Sequence, residues 1–429
     1  MSRLTPPDEV LEIAARLRRA GFEAWCVGGA VRDALLGHDH LDWDLATSAT
    51  PQEVMQVFKR TVPVGLAFGT VGVLDRNNRM HEVTTFRLDV KTDGRHAEVQ
   101  FGVSLEEDLA RRDFTINAIA YNPQTNELFD PFHGRDDLKR RVVRAVGDAD
   151  ARMKEDRLRA LRALRFASRF DFDIDAPTWT AIINSAPHLT RLSAERVKQE
   201  IEKTMEQVAR PSRAFARWRE CGALRVLVPQ LHEAPAERFA ALDYLPLPRG
   251  KHAAERKLLR LAMLFFGESV KATETALRNL RFSNQEAAWS ARLSGARADC
   301  GSALDASMLR NGGASDVELR RLAARVGRTA AAGFWRLNAA LWAARRATGV
   351  AAPSASAVAS AHRRLVRIAY RDAIEIGDLQ VDGEDLAKAG VPKGPALGVT
   401  LRRLLERVIE QPALNTRDAL MQLAREENG

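Results

Sequence analysis

The chain has 429 residues, 45% of them hydrophobic and 28% charged, which are the proportions of a globular protein long enough for two or more domains. Lysine and arginine (65) exceed aspartate and glutamate (56), and this net charge of +9 favours a polyanionic partner such as nucleic acid, although an arginine-rich proteome would give the same balance. The three cysteines lie far apart, which excludes CxxC metal spacing and argues against a disulfide framework, and the N-terminus lacks an apolar signal core. These features predict a cytoplasmic protein without a membrane-spanning segment.

Strand and helix patterns alternate along the first third of the chain, up to about residue 148. Apolar residues at helical spacing predict a helix over residues 8–20. Two strand patterns follow at residues 62–75 and 79–87, and the polar, turn-rich residues 88–98 are predicted to form a mobile loop. This alternation predicts an α/β domain.

Two carboxylates come together if residues 41–45 (LDWDL) form a strand, because alternate side chains then place Asp42 and Asp44 on one face. Their mutual repulsion is accounted for if a divalent cation bridges them, and Mg²⁺ prefers such oxygen ligands. A pair of surface carboxylates on an edge strand is the alternative. The preceding Gly28 and Gly29 favour the metal site, since glycine lets the backbone approach a ligand and amides at a helix start suit a phosphate. The stretch predicts metal-dependent phosphoryl or nucleotidyl transfer.

Helical periodicity rich in alanine, leucine and arginine continues from residue 148 nearly to the C-terminus. A capping box is predicted before this region, with Thr50 as the N-cap and Glu53 as its partner. One helix is predicted over residues 152–170 with its leucines buried. Further helices are predicted at residues 193–208, 211–221, 254–266, 270–280, 316–347, 355–370 and 399–411.

The predicted helix over residues 152–170 carries a second chemical signal, because Asp156, Arg159, Arg162 and Arg165 step by three and share about a third of its circumference. A carboxylate one turn before an arginine can offer an acceptor and donors to a base edge. Asp156 would accept the amino hydrogen of cytosine or adenine while Arg159 donates to the neighbouring acceptor, whereas uracil and guanine carry a carbonyl there. Arg162 and Arg165 would meet phosphates. A salt-bridged surface helix is the alternative that this spacing leaves open.

Six motifs occur in an order and spacing that resemble one known family. They are GGAVRD, LDWDLAT, EVTTFR, RRDFTINAIAYNP, DPFHGRDDL and EDRLRALRALRF. The chain resembles the class II tRNA nucleotidyltransferases, the bacterial CCA-adding enzymes, strongly over residues 20–205 and again over residues 376–429. The resemblance implies an α/β nucleotidyltransferase head with a mixed sheet and helices, followed by an all-α neck, body and tail. The implied boundaries are 1–148 for the head, 149–230 for the neck, 231–350 for the body and 351–429 for the tail.

The resemblance also implies roles for individual residues. Asp42 and Asp44 match the family's metal-binding pair, and Glu82 is the candidate for a third catalytic carboxylate. Asp156 and Arg159 match the amino-acid template that pairs with CTP and ATP. The predicted nucleotide contacts are Gly28, Gly29, Arg32, Arg112, Asp113, Asp156, Arg159, Arg162 and Arg165.

The function implied by the resemblance is template-independent addition of C, C and A to the 3′ end of tRNA from CTP and ATP, with two Mg²⁺ ions assisting the transfer. An A-adding enzyme that follows a separate CC-adding partner and a bacterial poly(A) polymerase share the head motifs and remain alternatives. An RNA-binding protein with a degenerate site is the non-enzymatic alternative. The loop predicted at residues 88–98, with DGRH at residues 93–96, argues for a protein that can add A, because CC-only enzymes generally lack it. The sequence leaves the oligomeric state open.

Overall fold

The computed structural model describes residues 4–38, 42–92, 97–388, 390–392 and 394–426. The chain divides into two compact units, Met1–Thr204 with Arg213–Pro229 and Met205–Ser212 with Gln230–Gly429. The division into head, neck, body and tail, with the boundaries given above, stays a prediction. Among the described residues, no helix combines the length and apolar character required to cross a membrane.

The first unit is built on a mixed β-sheet. Its strands are β1 (Ala24–Val27), β2 (Asp44–Thr47), β3 (Thr61–Gly65), β4 (Thr70–Leu74), β5 (Met80–Thr85), β6 (Arg87–Thr92), β7 (Ala97–Phe101), β8 (Ala120–Asn122), β9 (Glu127–Phe129), β10 (Val142–Val143) and β11 (Asp173–Ile174). Seven of them form one sheet in the order β3-β4-β5-β2-β1-β8-β9, in which β2 and β5 are parallel and the other neighbours antiparallel. The mixed sheet predicted for this region is therefore confirmed.

Helices cover this sheet and continue after it. They are α1 (Asp8–Arg19), α2 (Gly29–Leu35), α3 (Pro51–Val57), α4 (Leu105–Ala110), α5 (Gly134–Arg140), α6 (Ala149–Glu155), α7 (Leu158–Phe170), α8 (Ala176–Ser185), α9 (Ala194–Gln207), α10 (Pro211–Glu220) and α11 (Ala223–Leu227). The helix predicted at residues 8–20 is α1, and its apolar stripe is buried. The predicted capping box also forms, since Thr50 accepts from the Glu53 amide and the Glu53 carboxylate accepts from the Thr50 amide.

The first unit departs from the sequence prediction in two places. The helix predicted over residues 152–170 is two helices, because Asp156 takes an extended backbone (φ −144°, ψ 105°) between α6 and α7. Most of the loop predicted at residues 88–98 is the antiparallel hairpin of β6 and β7, whose pairing depends on partners that a local polarity pattern does not reveal. Residues 93–96, with the DGRH motif, lie outside the described residues.

The second unit is helical in its described part. Its helices are α12 (Ala236–Leu242), α13 (Ala253–Leu264), α14 (Val270–Asn279), α15 (Asn284–Leu309), α16 (Asp316–Val326), α17 (Ala331–Ala347), α18 (Ala355–Arg371), α19 (Gly383–Lys388), α20 (Pro395–Glu410) and α21 (Arg417–Glu426). The single helix predicted over residues 316–347 is two, because Gly327 has a left-handed φ of +81° between α16 and α17. The last three helices enclose their own apolar core, which includes Leu386, Leu404 and Leu420.

Candidate active site

Strand pairing brings two carboxylates side by side in the first unit. In the parallel pair of β2 and β5, Leu45 lies opposite Val83, so the preceding residues Asp44 and Glu82 are neighbours on the other face. Adjacent strands lie about 4.8 Å apart, which sets the scale of the separation between the two side chains. The face shared by Leu45 and Val83 is the core, where both residues are fully buried. The carboxylates therefore share the opposite face of the sheet.

Asp44 is held in an unfavourable electrostatic setting. Burial, then the charges of Glu82 and Asp42, raise its pKa to about 6, and the opposing charge of Arg112 offsets this only in part. Asp42 is exposed and precedes β2, so the strand is shorter than the predicted residues 41–45; Leu41 lies outside the described residues. Three acidic groups are thus close enough to interact at the start of β2.

A sharp turn after β1 completes this end of the sheet. Gly28 has a φ of +74°, and a Cβ built there would lie 2.9 Å from Nη1 of Arg112, so both the backbone angle and the close approach require glycine. Gly29 begins α2. Arg112 donates from Nη2 to Asp108 at 3.1 Å, while its buried Nε has no hydrogen-bond partner among the residues that the structure describes. Arg112 therefore retains a donor beside the carboxylates.

Arg32 lies beneath this turn, inside the protein. Its Nε donates to Asp33 at 2.7 Å and its Nη1 to Asn117 at 2.5 Å, and only 3% of its surface is exposed. The guanidinium also lies over the rings of Phe166 and Phe170, 4.9 and 4.7 Å from their centroids. Arg32 thus joins α2 to α7, and its predicted contact with the nucleotide stays a prediction.

Asp113 connects the sheet domain to α7. Its Oδ2 accepts two hydrogen bonds from Arg162, at 2.8 and 2.7 Å, and its Oδ1 accepts from Nδ2 of the Asn117 side chain at 2.8 Å. Burial by itself would raise the pKa of Asp113, but the charge of Arg162 and these hydrogen bonds hold it below its usual value. The ion pair fixes Arg162 against the fold while leaving it partly exposed.

Asp156 lies at the break between α6 and α7. Its Oδ1 accepts from the Leu158 amide at 3.0 Å, and its Oδ2 accepts from Nη2 of Arg196 at 2.6 Å. A carboxylate has about four acceptor positions, so these two bonds leave capacity for a ligand. The sequence interpretation placed Asp156 within one helix and did not identify Arg196, because 40 residues separate the two partners.

Arg159, one turn further along, is 9% exposed and held by three acceptors. Its Nη1 donates to Glu155 at 2.7 Å and to the carbonyl of Arg152 at 3.1 Å, and its Nη2 donates to the carbonyl of Arg111 at 2.9 Å. The structure therefore places Arg159 beside Asp156 in a fixed orientation. Glu155 was quoted in the motif, but no role was predicted for it.

Arg165 has a different setting from the other arginines of α7. Its Nε donates to Glu200 at 2.7 Å, with 4% and 1% of the two side chains exposed. Its guanidinium also lies 4.3 Å from the centroid of the Phe166 ring. The predicted phosphate contact of Arg165 stays a prediction, and its observed partners are those of a buried ion pair. No local spacing signalled these partners, because 35 residues separate Arg165 from Glu200 and 40 separate Asp156 from Arg196.

The three carboxylates are suited to hold a divalent cation whose remaining ligands come from a substrate. Asp42, Asp44 and Glu82 offer hard carboxylate oxygens, but among the described residues no three histidine, cysteine or acidic side chains form a ready-made metal group. Mg²⁺ is commonly held by one or two carboxylates and completed by substrate phosphates. Such a cation would also relieve the repulsion that raises the pKa of Asp44.

Two family models match the N-terminal half of the chain, mostly within the first unit. Residues 24–144 match the "Poly A polymerase head domain", and residues 171–234 match the "Probable RNA and SrmB- binding site of polymerase A". The CCA-adding enzyme of Streptococcus sanguinis is 40% identical over 288 residues, which are 67% of this chain and 63% of that protein. The Leuconostoc mesenteroides enzyme of the same name is 48% identical over 204 residues, 46% of this chain and 50% of that protein. The chain thus spans between half and about two thirds of the length of these curated relatives.

Solved structures extend the similarity along nearly the whole chain. The crystal structure of the Bacillus stearothermophilus CCA-adding enzyme in complex with CTP has a TM-score of 0.73 and 31% identity, and the match covers 99% of this chain and 98% of that one. The Thermotoga maritima CCA-adding enzyme complexed with tRNA has a TM-score of 0.67 over 99% and 97% of the two chains, and at 19% identity it supports the fold alone.

Proposed function

Because this chain belongs to the class II family of tRNA nucleotidyltransferases that includes the CCA-adding enzymes, we propose that it adds C, C and A to the 3′ end of tRNA from CTP and ATP. The observation that carries the proposal is the convergence of Asp42, Asp44 and Glu82 beside Arg112 at one end of the sheet. An acidic cluster next to an incompletely bonded arginine is suited to transfer of a nucleotide from a triphosphate. The names of the similar CCA-adding enzymes, and the CTP bound in the Bacillus stearothermophilus structure, support the substrates.

We propose Mg²⁺ as the metal, held by Asp42 and Asp44 with Glu82 as the third carboxylate. When bound, Mg²⁺ would lower the pKa of the tRNA 3′-hydroxyl and neutralise charge on the triphosphate. Arg112 would donate to a phosphate oxygen from the end of its guanidinium, and Gly28 leaves room for that group. The 3′-hydroxyl would lose its proton to solvent as its oxygen forms a bond to the α-phosphorus. The bond between the α-phosphorus and the oxygen that bridges it to the β-phosphate would break, and pyrophosphate would leave with that oxygen.

Base selection would depend on the break between α6 and α7. Asp156 would accept the amino hydrogen of cytosine or adenine, and Arg159 would donate to the adjacent ring nitrogen or carbonyl. Arg196 and Glu155 hold these two side chains, so the hydrogen-bonding pattern is set before a nucleotide arrives. Arg162, fixed by Asp113, is the candidate for contact with the phosphates. Selection by side chains alone requires no nucleic-acid template.

The test is addition to three tRNA transcripts, which end before CCA, after the first C and after the second C. Each is offered with CTP alone, ATP alone or both, and the products are resolved by length. The proposal expects C and CC additions with CTP and completed CCA with both nucleotides. Addition of A only to the transcript that ends in CC would identify an A-adding enzyme. Long A tails on unrelated RNA would identify a poly(A) polymerase, and binding without addition would identify a non-enzymatic RNA-binding protein.

We place the protein in the cytoplasm as part of the same proposal. Cys26, Cys221 and Cys300 are free thiols in the structure, which suits a reducing compartment. The proposed substrates, CTP, ATP and tRNA, are also intracellular molecules.

A further inference from the structure

A cleft of about 570 Å³ lies in the second unit, whereas the candidate active site belongs to the first. One side is the end of α15 with the turn that follows it, residues 308–313, and the other is the start of α18 with the residues before it, within residues 352–364. We call it the α18 cleft. Small-molecule sites typically occupy about 300–1,000 Å³. The cleft therefore has the volume of a ligand site, and the second unit builds it alone.

One wall of the α18 cleft is a polar stripe on the helix. Ser356, Ser360 and Arg364 follow one another at intervals of four residues, so they share a face of α18, and all three line the cleft. The Ser356 hydroxyl lies 3.0 Å from that of Ser354. The Ser360 hydroxyl has no hydrogen-bond partner among the residues that the structure describes. The stripe thus offers a hydroxyl and a guanidinium to a ligand.

Two arginines line the α18 cleft from different elements. Arg310, after α15, donates from Nη2 to Glu318, and Arg364 donates from Nε to Asp316 at 2.7 Å. Each guanidinium has more N–H donors than these bonds use, and the two side chains are 59% and 31% exposed. Among the described residues that line the cleft, none is acidic. The lining is therefore suited to an anion.

The rest of the lining includes an apolar portion. Met308, Leu309, Pro353 and Ala357 contribute to it, and Leu309 is 50% exposed although its side chain is large and apolar. The methionine thioether makes favourable contacts with aromatic rings. Inorganic phosphate would leave most of the cleft unfilled, whereas a nucleotide combines an anion with a flat ring. The size and the two kinds of lining together fit one nucleotide.

The charges around the α18 cleft distinguish a free nucleotide from an RNA strand. Arg310 pairs with Glu318, while Arg364 and Arg367 share Asp316. Three arginines against two carboxylates leave one net positive charge. Surfaces that bind RNA strands neutralise many phosphates and need a corresponding number of cations. One net charge suits the single phosphate chain of a free nucleotide.

We propose that the α18 cleft binds one free nucleoside phosphate, as a second nucleotide site separate from the active site. Arg310, Arg364 and Ser360 donate to the phosphate, and Leu309 and Pro353 contact the base. The inference goes beyond the proposed function and does not depend on it, because no residue assigned to the transfer reaction lines this cleft.

Counting the ATP bound by the full chain without RNA tests the proposal. Isothermal titration is expected to show two ATP per wild-type chain, one in the active site and one in the cleft. Ser360→Phe fills the cleft from an exposed position and should abolish the second site, and Arg364→Gln should weaken it at least about tenfold. Arg278→Gln is the matched control, since Arg278 is an exposed arginine of α14 that pairs with Glu274. It should keep both sites.

A second set of variants isolates the cleft from the active site. Asp156→Ala should weaken the active-site ATP and leave the ATP of the cleft, and adding Ser360→Phe should remove that one as well. The difference between these two proteins then measures the cleft with AMP, inorganic phosphate or adenosine as the probe. AMP should bind at least about tenfold more tightly than either of the others, because only AMP uses both kinds of lining. Thermal unfolding checks that each variant retains the fold.

The outcomes separate this site from the proposed function. If Ser360→Phe and Arg364→Gln both retain all the ATP that the wild-type chain binds, the site in the cleft is wrong. Inorganic phosphate that binds as tightly as AMP would contradict the base contact, and a tRNA transcript that displaces AMP from the cleft would show that the cleft holds RNA instead. A chain that extends no tRNA but loses an ATP through Ser360→Phe would refute the proposed function and support the cleft.

Discussion

The acidic end of the sheet and the arginine-rich helix α7 are built on opposite electrostatic principles, although both belong to the first unit. Around Asp44 the charges are mostly alike, and burial with Glu82 and Asp42 raises its pKa to about 6. Along α7 the arginines are paired, with Arg162 on Asp113 and Arg165 on Glu200. The negative charges of the first region exceed the positive ones, whereas these arginines of α7 are paired with carboxylates of the protein.

This difference matches the roles that we propose for the two regions. A carboxylate cluster that was neutralised by the protein's own arginines would bind Mg²⁺ only weakly. A base-reading surface has the opposite requirement, because hydrogen-bonding groups that are free to rotate lose selectivity. Asp156 and Arg159 are accordingly fixed by Arg196 and Glu155. The comparison predicts that substitutions at the acidic end will lower the rate of transfer. Substitutions at Arg165 and at the start of α7 are expected instead to change stability or the choice of nucleotide.

The largest effect is expected at the acidic end. Asp44→Asn, and likewise Asp42→Ala, should lower the single-turnover rate of C addition by at least about 10³-fold, equivalent to about 4 kcal/mol, because a metal ligand is lost. The Kd for tRNA should stay near wild type, and the exposed Asp136→Asn on α5 is the matched control. A rate within tenfold of wild type for Asp44→Asn would remove the metal role.

The buried ion pair between Arg165 of α7 and Glu200 of α9 is expected to affect stability more than catalysis. Arg165→Met leaves Glu200 charged and 1% exposed, so the free energy of unfolding should fall by about 3–5 kcal/mol in urea denaturation. The double variant Arg165→Met with Glu200→Leu should recover most of this loss, since no buried charge is left unpaired. If the single variant is as stable as wild type and instead binds CTP poorly, Arg165 contacts the nucleotide as the sequence interpretation predicted.

Asp156→Asn is expected to change the choice of nucleotide more than the rate of transfer. Replacing an acceptor-only carboxylate by an amide should reduce discrimination between CTP and UTP by about 10- to 100-fold, measured as the ratio of kcat/KM values. Arg159→Ala should act in the same direction. Asp150→Asn, an exposed position on α6, serves as the control. Unchanged selectivity in both variants would contradict the base-edge interpretation.

The smallest effect is a pH dependence of stability without metal. Because the folded pKa of Asp44 is about 6 and its ordinary value is 3.8, the native state binds this proton more tightly, and stability is lost as pH rises from about 4 to 6. Asp44→Asn removes this loss. Its free energy of unfolding relative to wild type should therefore rise by about 1–2 kcal/mol over that range. A difference that is constant with pH would show that Asp44 titrates normally.

Adding Mg²⁺ to the wild-type protein sharpens the same measurement. Above pH 6 the metal should raise the wild-type free energy of unfolding and leave Asp44→Asn nearly unchanged, because binding to the folded state requires the ionised carboxylate. An equal effect on both proteins would place the metal elsewhere.

Patterns confined to a few neighbouring residues were predictable from the sequence. The helix α1 and the Thr50–Glu53 capping box are examples, because apolar spacing and an N-cap depend on residues within one or two turns. The Gly28-Gly29 turn and the carboxylates Asp42 and Asp44 were also identifiable, since their residue types restrict the backbone and the ligand chemistry. The family motifs then supplied Glu82, which the structure places beside Asp44.

Only the tertiary structure decided which partner each charged group has. A spacing of three residues predicted one shared face for Asp156, Arg159, Arg162 and Arg165, but the helix breaks at Asp156 and Arg165 pairs with Glu200. The physical reason is that an ion pair depends on distance in space, and 49 residues separate Arg162 from Asp113. The sequence by itself determined the chemical groups of the site; the packing of α7 against the sheet and α9 determined which of their atoms remain for a ligand.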